Sequence, residues 1–292
     1  MSAAADAAPP APVAGAGFWQ RALRHPSFAI GLALTLLVVL AAALSFAWTP
    51  HDPYEIDMAL KLKAPDARFW LGTDAFGRDV ASLLLVGARA SIVVGVVAVG
   101  IGLVIGTALG LLASARRGWV EEAIMRLSDF GFAFPAILSA IMLTAVFGPG
   151  MVNAIVAIGL YNIPTFARIT RASANAVWGR EFVLAARACG KGRLAITLEH
   201  VLPNILSVLI VQATIRFAIA ILAEAALSYL GLGTQPPQPS WGRMLSEAQT
   251  LLFQAPMLGV YPGVAIALAV LGLNLLGDGL RDLYDPRLAR RR

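Results

Sequence analysis

Residues 88–113 read Ala-Arg-Ala-Ser-Ile-Val-Val-Gly-Val-Val-Ala-Val-Gly-Ile-Gly-Leu-Val-Ile-Gly-Thr-Ala-Leu-Gly-Leu-Leu-Ala, with one charge, Arg89, near the start. No alternation of period 2 or 3.6 separates a wet face from a dry one. An apolar run of 18 or more residues is the length of helix that crosses a bilayer. One such run would also suit a buried core helix, but this chain has several. Working outward, the same reading finds Phe28–Trp48, Phe130–Phe147, Met151–Ile169, Ile205–Leu230 and Met257–Gly277. The expected fold is all-α and membrane-integral, with six transmembrane helices.

Composition agrees. Of 292 residues, 58% are hydrophobic and 14% charged, against about 25% charged in an ordinary soluble domain. A soluble chain would have no place for so much apolar side chain. The run at Phe28–Trp48 follows Arg21 and Arg24, as a secretory signal would. At about 20 residues it exceeds the 7–15 of a signal core, so it reads as a retained span. Residues 1–27 read as a largely disordered cytoplasmic tail, 49–87 as an extracytoplasmic loop, 88–277 as a five-helix core and 278–292 as a cytoplasmic tail. Pro135 should kink the third span or sit where the chain turns into it.

The net charge of +6 reads as membrane topology, and nucleic acid is not an expected partner. With both termini in the cytoplasm, sixteen of the 23 Lys and Arg residues fall in inside segments, six outside, and Arg216 lies within a span. That bias satisfies the positive-inside rule. The single cysteine, Cys189, excludes an intramolecular disulfide, and no metal-ligand spacing is present. There is no phosphate-binding Gly-x-x-x-x-Gly-Lys-Ser/Thr, no His-Glu-x-x-His and no Gly-x-Ser-x-Gly. Nothing is catalytic in appearance, and no cofactor of the chain's own is expected.

The inside segment 168–204 is long, basic and helix-prone, and long structured loops usually carry function. It contains Glu181-Phe-Val-Leu-Ala-Ala-Arg-Ala-Cys-Gly190 and ends His200-Val-Leu-Pro-Asn204. Glu181 suits a helix start, Ala185 and Ala186 favour the helix and leave a shallow surface, and Gly190 suits its left-handed end. A second short helix should follow and break at Pro203. Physics alone leaves two readings: a docking element for another protein, or an amphipathic helix lying on lipid.

Arg216 and Glu224 share the fifth span. Ionisable groups at membrane depth line a path or pair with neighbouring protein. At eight residues they stand roughly 12 Å apart, too far for a direct ion pair. Both readings, path or gate against pairing with a neighbouring span, stay open for each. Gly102, Gly106 and Gly110 recur every four residues, which reads as close helix packing.

Ala185-Ala186, Gly190 and Leu202-Pro203 together resemble the cytoplasmic loop of binding-protein-dependent ABC importer permeases. Leu184 stands where that family has a glutamate and His200 where it has an isoleucine, departures common in its peptide and nickel branch. Leu71–Asp79, Ala220–Gly233, Pro239–Arg243 and Leu273–Leu288 resemble that branch too, as the second, C-type permease of the pair. The resemblance implies a type I ABC importer permease fold with cytoplasmic coupling helices, in a bacterial inner membrane. Glu181, Ala185, Ala186, Gly190, Leu202 and Pro203 would form the ATPase-coupling loop. It further implies a second homologous permease, two ABC ATPases that bind ATP and Mg, and an extracytoplasmic substrate-binding protein. The long outer loop would contact that protein or the sister permease. The implied cargo is a di- or oligopeptide, with nickel, glutathione or another small solute as alternatives. A secondary transporter would show more intramembrane charge and inverted repeats, and neither is seen.

Overall fold

The computed structural model describes residues 18–284, which are helical apart from turns and one isolated antiparallel bridge, Thr73 to Asp79. The helices are α1 (Phe18–Arg24), α2 (Pro26–Ala47), α3 (Val80–Ala115), α4 (Trp119–Ala133), α5 (Ala136–Phe147) and α6 (Met151–Trp178). They continue as α7 (Glu181–Ala188), α8 (Arg193–Ile196), α9 (Leu202–Tyr229), α10 (Trp241–Ala248) and α11 (Met257–Tyr284). Five stretches are long and apolar enough to cross a membrane: α2, α3, α6, α8–α9 taken together as Arg193–Tyr229, and α11. The proposed disorder of residues 1–17 and the basic residues Arg287 and Arg290–Arg292 lie outside the described residues.

The third expected span, Phe130–Phe147, is a broken one. Its two halves, α4 and α5, meet at 82°. Phe134 is extended (φ −105°, ψ 133°), because a residue preceding proline is pushed out of the helical region. The 12 residues of α5 reach only about 18 Å, short of the roughly 30 Å hydrocarbon core. Among the described residues the spans therefore number five, or six when the bent pair counts as one.

Several helices outrun their apolar stretches. α3 begins at Val80 rather than Ala88, because Asp79 caps it by accepting from the Ser82 N–H at 3.0 Å. α6 continues to Trp178 and α11 to Tyr284. Hydropathy reports where lipid ends, and a helix is free to continue into water. Helix also enters the expected N-terminal tail, as α1 and the start of α2, where Pro26 occupies the first turn.

The packing has two centres. One joins α3, α6 and α9 around Val94, Ala98, Phe166 and Leu209. The other joins α2, α3, α9, α10 and α11 around Val80, Leu83, Ile221, Trp241 and Leu273. α3 serves both. Its contact with α6 is backbone against backbone. A Cβ on Gly102 would lie 2.3 Å from Asn162 Cβ, one on Gly106 2.5 Å from the Ile163 carbonyl oxygen, and one on Gly110 2.5 Å from that of Ala167. The four-residue glycine spacing is thus a contact stripe. α2 buries Phe28, Gly31, Val38, Ala42 and Ser45, mainly against α11 and α3.

Connections alternate between the two ends of the bundle. At one end, Arg193 donates to the Ala115 carbonyl, Arg171 pairs with Glu121, and His25 meets Asp282. At the other end, Arg78 bridges Asp74 and Glu247, and the Gly150 N–H donates to the Leu232 carbonyl at 3.1 Å. Leu71–Asp79 folds inward there. Gly72, Thr73, Asp74 and Asp79 are buried, and Asp74 Oδ1 accepts from the N–H groups of Phe76 and Arg78. Nearby, the Lys63 ammonium and the Phe69 N–H hold the Asp66 carboxyl down to about 2.

Gly106→Val should force α3 and α6 apart, at a cost of about 1–3 kcal/mol or more, because backbone cannot yield as a side chain does. Thermal unfolding of the detergent-solubilised protein should show a lowered midpoint. Gly100→Ala, with no atom within 4 Å of the added Cβ, should leave it unchanged.

Candidate functional site

The segment between α6 and α9 is built as a rigid projection. α6 ends at Trp178, whose indole N–H donates to Ser114 Oγ at 3.3 Å, joining the ends of α6 and α3. α7 then crosses as a two-turn helix with Glu181 in its first turn and Arg187 in its last, the arrangement that suits the helix dipole. Val183 points inward and is fully buried; Leu184, Ala185, Ala188 and Cys189 face out. Ala186 packs inward against the α3–α6–α9 core.

Gly190 ends α7 at φ +81°. The Gly190 N–H donates to the Arg187 carbonyl, and the Lys191 N–H donates to that of Ala186. This is a Schellman motif, which needs the left-handed residue that glycine supplies. No atom lies within 4 Å of a Cβ placed there, so the requirement is conformational and the outside is open.

The chain does not break at Pro203. α8 runs into a π-helical turn, Thr197–Val201, and on into α9. The Leu202 N–H donates five residues back, to the Thr197 carbonyl. The wider turn makes room for a ring that has no N–H and would clash with the carbonyl four residues earlier. Ile196 and Val201 are completely buried in the same core as Val183. Lys191 pairs with Glu199, Phe182 meets His200 edge-on with ring centroids 6.2 Å apart, and Arg187 lies over Trp178. Of the six loop residues singled out in the sequence, Glu181, Ala185 and Pro203 are exposed and Gly190 shapes the turn, while Ala186 and Leu202 pack against the core and seat the projection.

Arg216 and Glu224 do not meet. Glu224 is fully enclosed between α3, α9 and the turn that follows α9. Ser228 Oγ donates to Oε1 at 2.7 Å, Thr234 Oγ1 to the same oxygen at 3.3 Å, and Ser91 Oγ to Oε2 at 3.5 Å. The Thr234 N–H donates in turn to Ser228 Oγ. The Trp241 indole N–H donates to the Leu84 carbonyl beside this cluster. Spacing alone could not reveal the cage, whose members lie up to 133 residues from Glu224. Arg216 stays partly exposed.

A bundle of long apolar helices, one span broken midway and a polar helical projection fixed at one end, define a polytopic membrane protein of transporter type. The chain belongs to the family of binding-protein-dependent transport system inner membrane components, whose model matches residues 99–290. A second model, the N-terminal transmembrane domain of oligopeptide transport permease C, matches residues 15–65. The chain is 42% identical over 273 residues to a glutathione transport system permease protein of Pectobacterium atrosepticum, covering 93% of this chain and 90% of that one. It is 43% identical over 278 residues to a di/tripeptide transport system permease protein of Pseudomonas aeruginosa, covering 93% and 91%. A dipeptide transport system permease protein of Alkalihalophilus pseudofirmus is 42% identical over 259 residues, covering 89% and 85%. An inward-facing structure of a methionine ABC transporter superposes with a TM-score of 0.58 at 20% identity, over 70% of this chain and 97% of that one. The fold is thus that of a type I ABC importer permease.

Glu224→Gln keeps the shape and can still serve the surrounding hydroxyls, so its folded yield and melting midpoint should stay near wild type. Glu224→Leu orphans several buried hydroxyls at about 1–3 kcal/mol each and should sharply reduce folded protein in size-exclusion chromatography.

Proposed function

We propose that this chain is the membrane subunit of an ATP-driven importer and forms half of a translocation path for di- and oligopeptides. The observation that carries the reading is the rigid projection at α7. It offers small residues outward, Ala185 and Ala188, and roots Val183, Ile196 and Val201 in the core shared by α3, α6 and α9. A force applied at α7 therefore reaches the spans without loss in a soft joint.

In this reading α7 docks in a cleft on a separate ATPase. ATP and Mg are bound by two such subunits, and their closure swings α7 and tilts α3, α6 and α9 with it. A homologous permease supplies the other half of the path, and an extracytoplasmic binding protein delivers the cargo. The sidedness follows from charge: the end that bears α7 also carries Arg116, Arg117, Arg126, Arg180, Arg187, Lys191 and Arg193, so it faces the cytoplasm together with both termini. The membrane is the bacterial inner membrane.

The cargo reading rests on relatives named for dipeptide and di/tripeptide transport at 42–43% identity. Glutathione is a second reading, favoured by a relative of similar identity, and it is itself a tripeptide. The buried, internally clasped Leu71–Asp79 segment secures α3 to α10, so the exposed part of 49–70 is the better surface for the binding protein.

Gly190→Trp should insert in the membrane and assemble with the sister permease, because the site is open. It should lose uptake and peptide-stimulated ATPase activity, since an indole would stand in the docking face and the bulky residue strains the positive φ there. Gly190→Asn, which tolerates positive φ, should retain both. Normal uptake by the tryptophan variant would remove α7 from the docking role.

A further inference from the structure

We propose that Arg216 is a carboxylate receptor within the translocation path, and that the carboxylate it takes is the C-terminal one of the peptide cargo. The inference rests on the peptide reading above and adds to it a recognising residue. Arg216 lies near the midpoint of α9, about 20 Å from either end. Its Nε is buried and has no hydrogen-bond partner, and among the described residues it has no ion pair.

Three other arginines at the spans are each answered. Arg89 donates to the Ser45 carbonyl and lies over Phe46, Arg168 pairs with Asp129, and Arg171 pairs with Glu121. Glu224, the one acid further along α9, is held by hydroxyls in a closed cage and is not within reach.

The surroundings of Arg216 are donor-rich and acid-free. Tyr161 of α6 is close enough to interact with it electrostatically. Gln212 lies one turn earlier on the same face and is also partly exposed. Tyr161 in turn meets Phe132 of α4 edge-on at 5.8 Å, just before the break in the third span. A guanidinium, a phenol and a carboxamide thus line one surface beside the bent helix. A charged group at membrane depth is retained where it pairs with protein or faces a water-filled cavity. The described residues hold no anion for Arg216, which leaves it to face such a cavity and to take its partner from what passes. A guanidinium matches a carboxylate in two parallel hydrogen bonds. Dipeptides, tripeptides and glutathione differ in side chains and all carry a free carboxylate. A receptor for that shared group, on a chain that leaves side-chain choice to a binding protein, is what these cargoes require.

A carboxylate of the sister permease is the other source of the same chemistry. The complete transporter, in proteoliposomes with saturating binding protein, separates the two. Arg216→Gln and Arg216→Lys are compared with wild type, using a dipeptide and its C-terminal amide. The expected result is that Arg216→Gln co-purifies with all partners and keeps basal ATPase activity. Its dipeptide turnover falls about tenfold or more, the scale of one lost charge-assisted interaction. Arg216→Lys keeps most of the rate. Wild type turns the amide over slowly, and Arg216→Gln no longer distinguishes acid from amide. Undiminished turnover by Arg216→Gln, or wild-type preference retained in it, overturns the inference. So does loss of the sister permease on purification, which assigns the carboxylate to that subunit. A wild-type complex that moves neither peptide form overturns the peptide reading itself, and the inference with it.

Discussion

The contact between α3 and α6 is the constraint on which the rest depends. Three glycines of α3 let the α6 backbone and its Cβ atoms come into direct contact over two turns. Lipid offers helices no hydrophobic reason to associate, so close dispersion contact and shape must supply it. The seam continues to the helix ends, where the Trp178 indole donates to Ser114. The next residues are the start of α7. The projection is therefore an extension of the tightest joint in the bundle.

From that joint the division of labour follows. α3 and α9 belong to both packing centres, one shared with α6 and the projection, the other with α2, α10 and α11. The far end is held by a different kind of bond. There Glu224 gathers hydroxyls from α3, α9 and the turn after α9, and Arg78 ties Asp74 to Glu247 on α10. Polar clasps at both ends and a glycine seam along the middle leave α7 exposed yet stiffly connected. The broken span at Phe134–Pro135 stands outside both clasps and carries exposed Phe130, Phe134, Leu138 and Met142, apolar surface for lipid or a neighbouring permease.

Much of this was legible from residue order, and the failures share a cause. Apolar length located five of the spans, and glycine spacing located the seam. Gly190 marked the end of α7 because only a positive φ turns the chain there. Local reading missed what depends on chemistry beyond apolar length. α3 starts at Val80 because Asp79 caps it, and α6 runs on to Trp178 in polar sequence. Pro203 promised a break, and a π-helical turn absorbed it. Pro135, expected to kink the span or to sit where the chain turns into it, stands at the start of α5 with a near right angle before it. Glu224 was visible as a costly buried acid, but its partners come from distant segments. Arg216 was visible for the same reason, and the structure sharpens it by withholding a partner.

The central claim is that the outer face of α7 is covered by an ATPase subunit. Cys189 is the only cysteine in the chain. It is exposed and lies one turn beyond Ala185 on the same face. The direct measurement is its rate of reaction with a membrane-impermeant thiol reagent, for the two permeases alone and for the assembly with both ATPases. The account expects rapid labelling of the permeases alone and labelling slowed at least about tenfold on assembly, with protection equivalent to a well-covered surface. Equal rates in the two samples would contradict it.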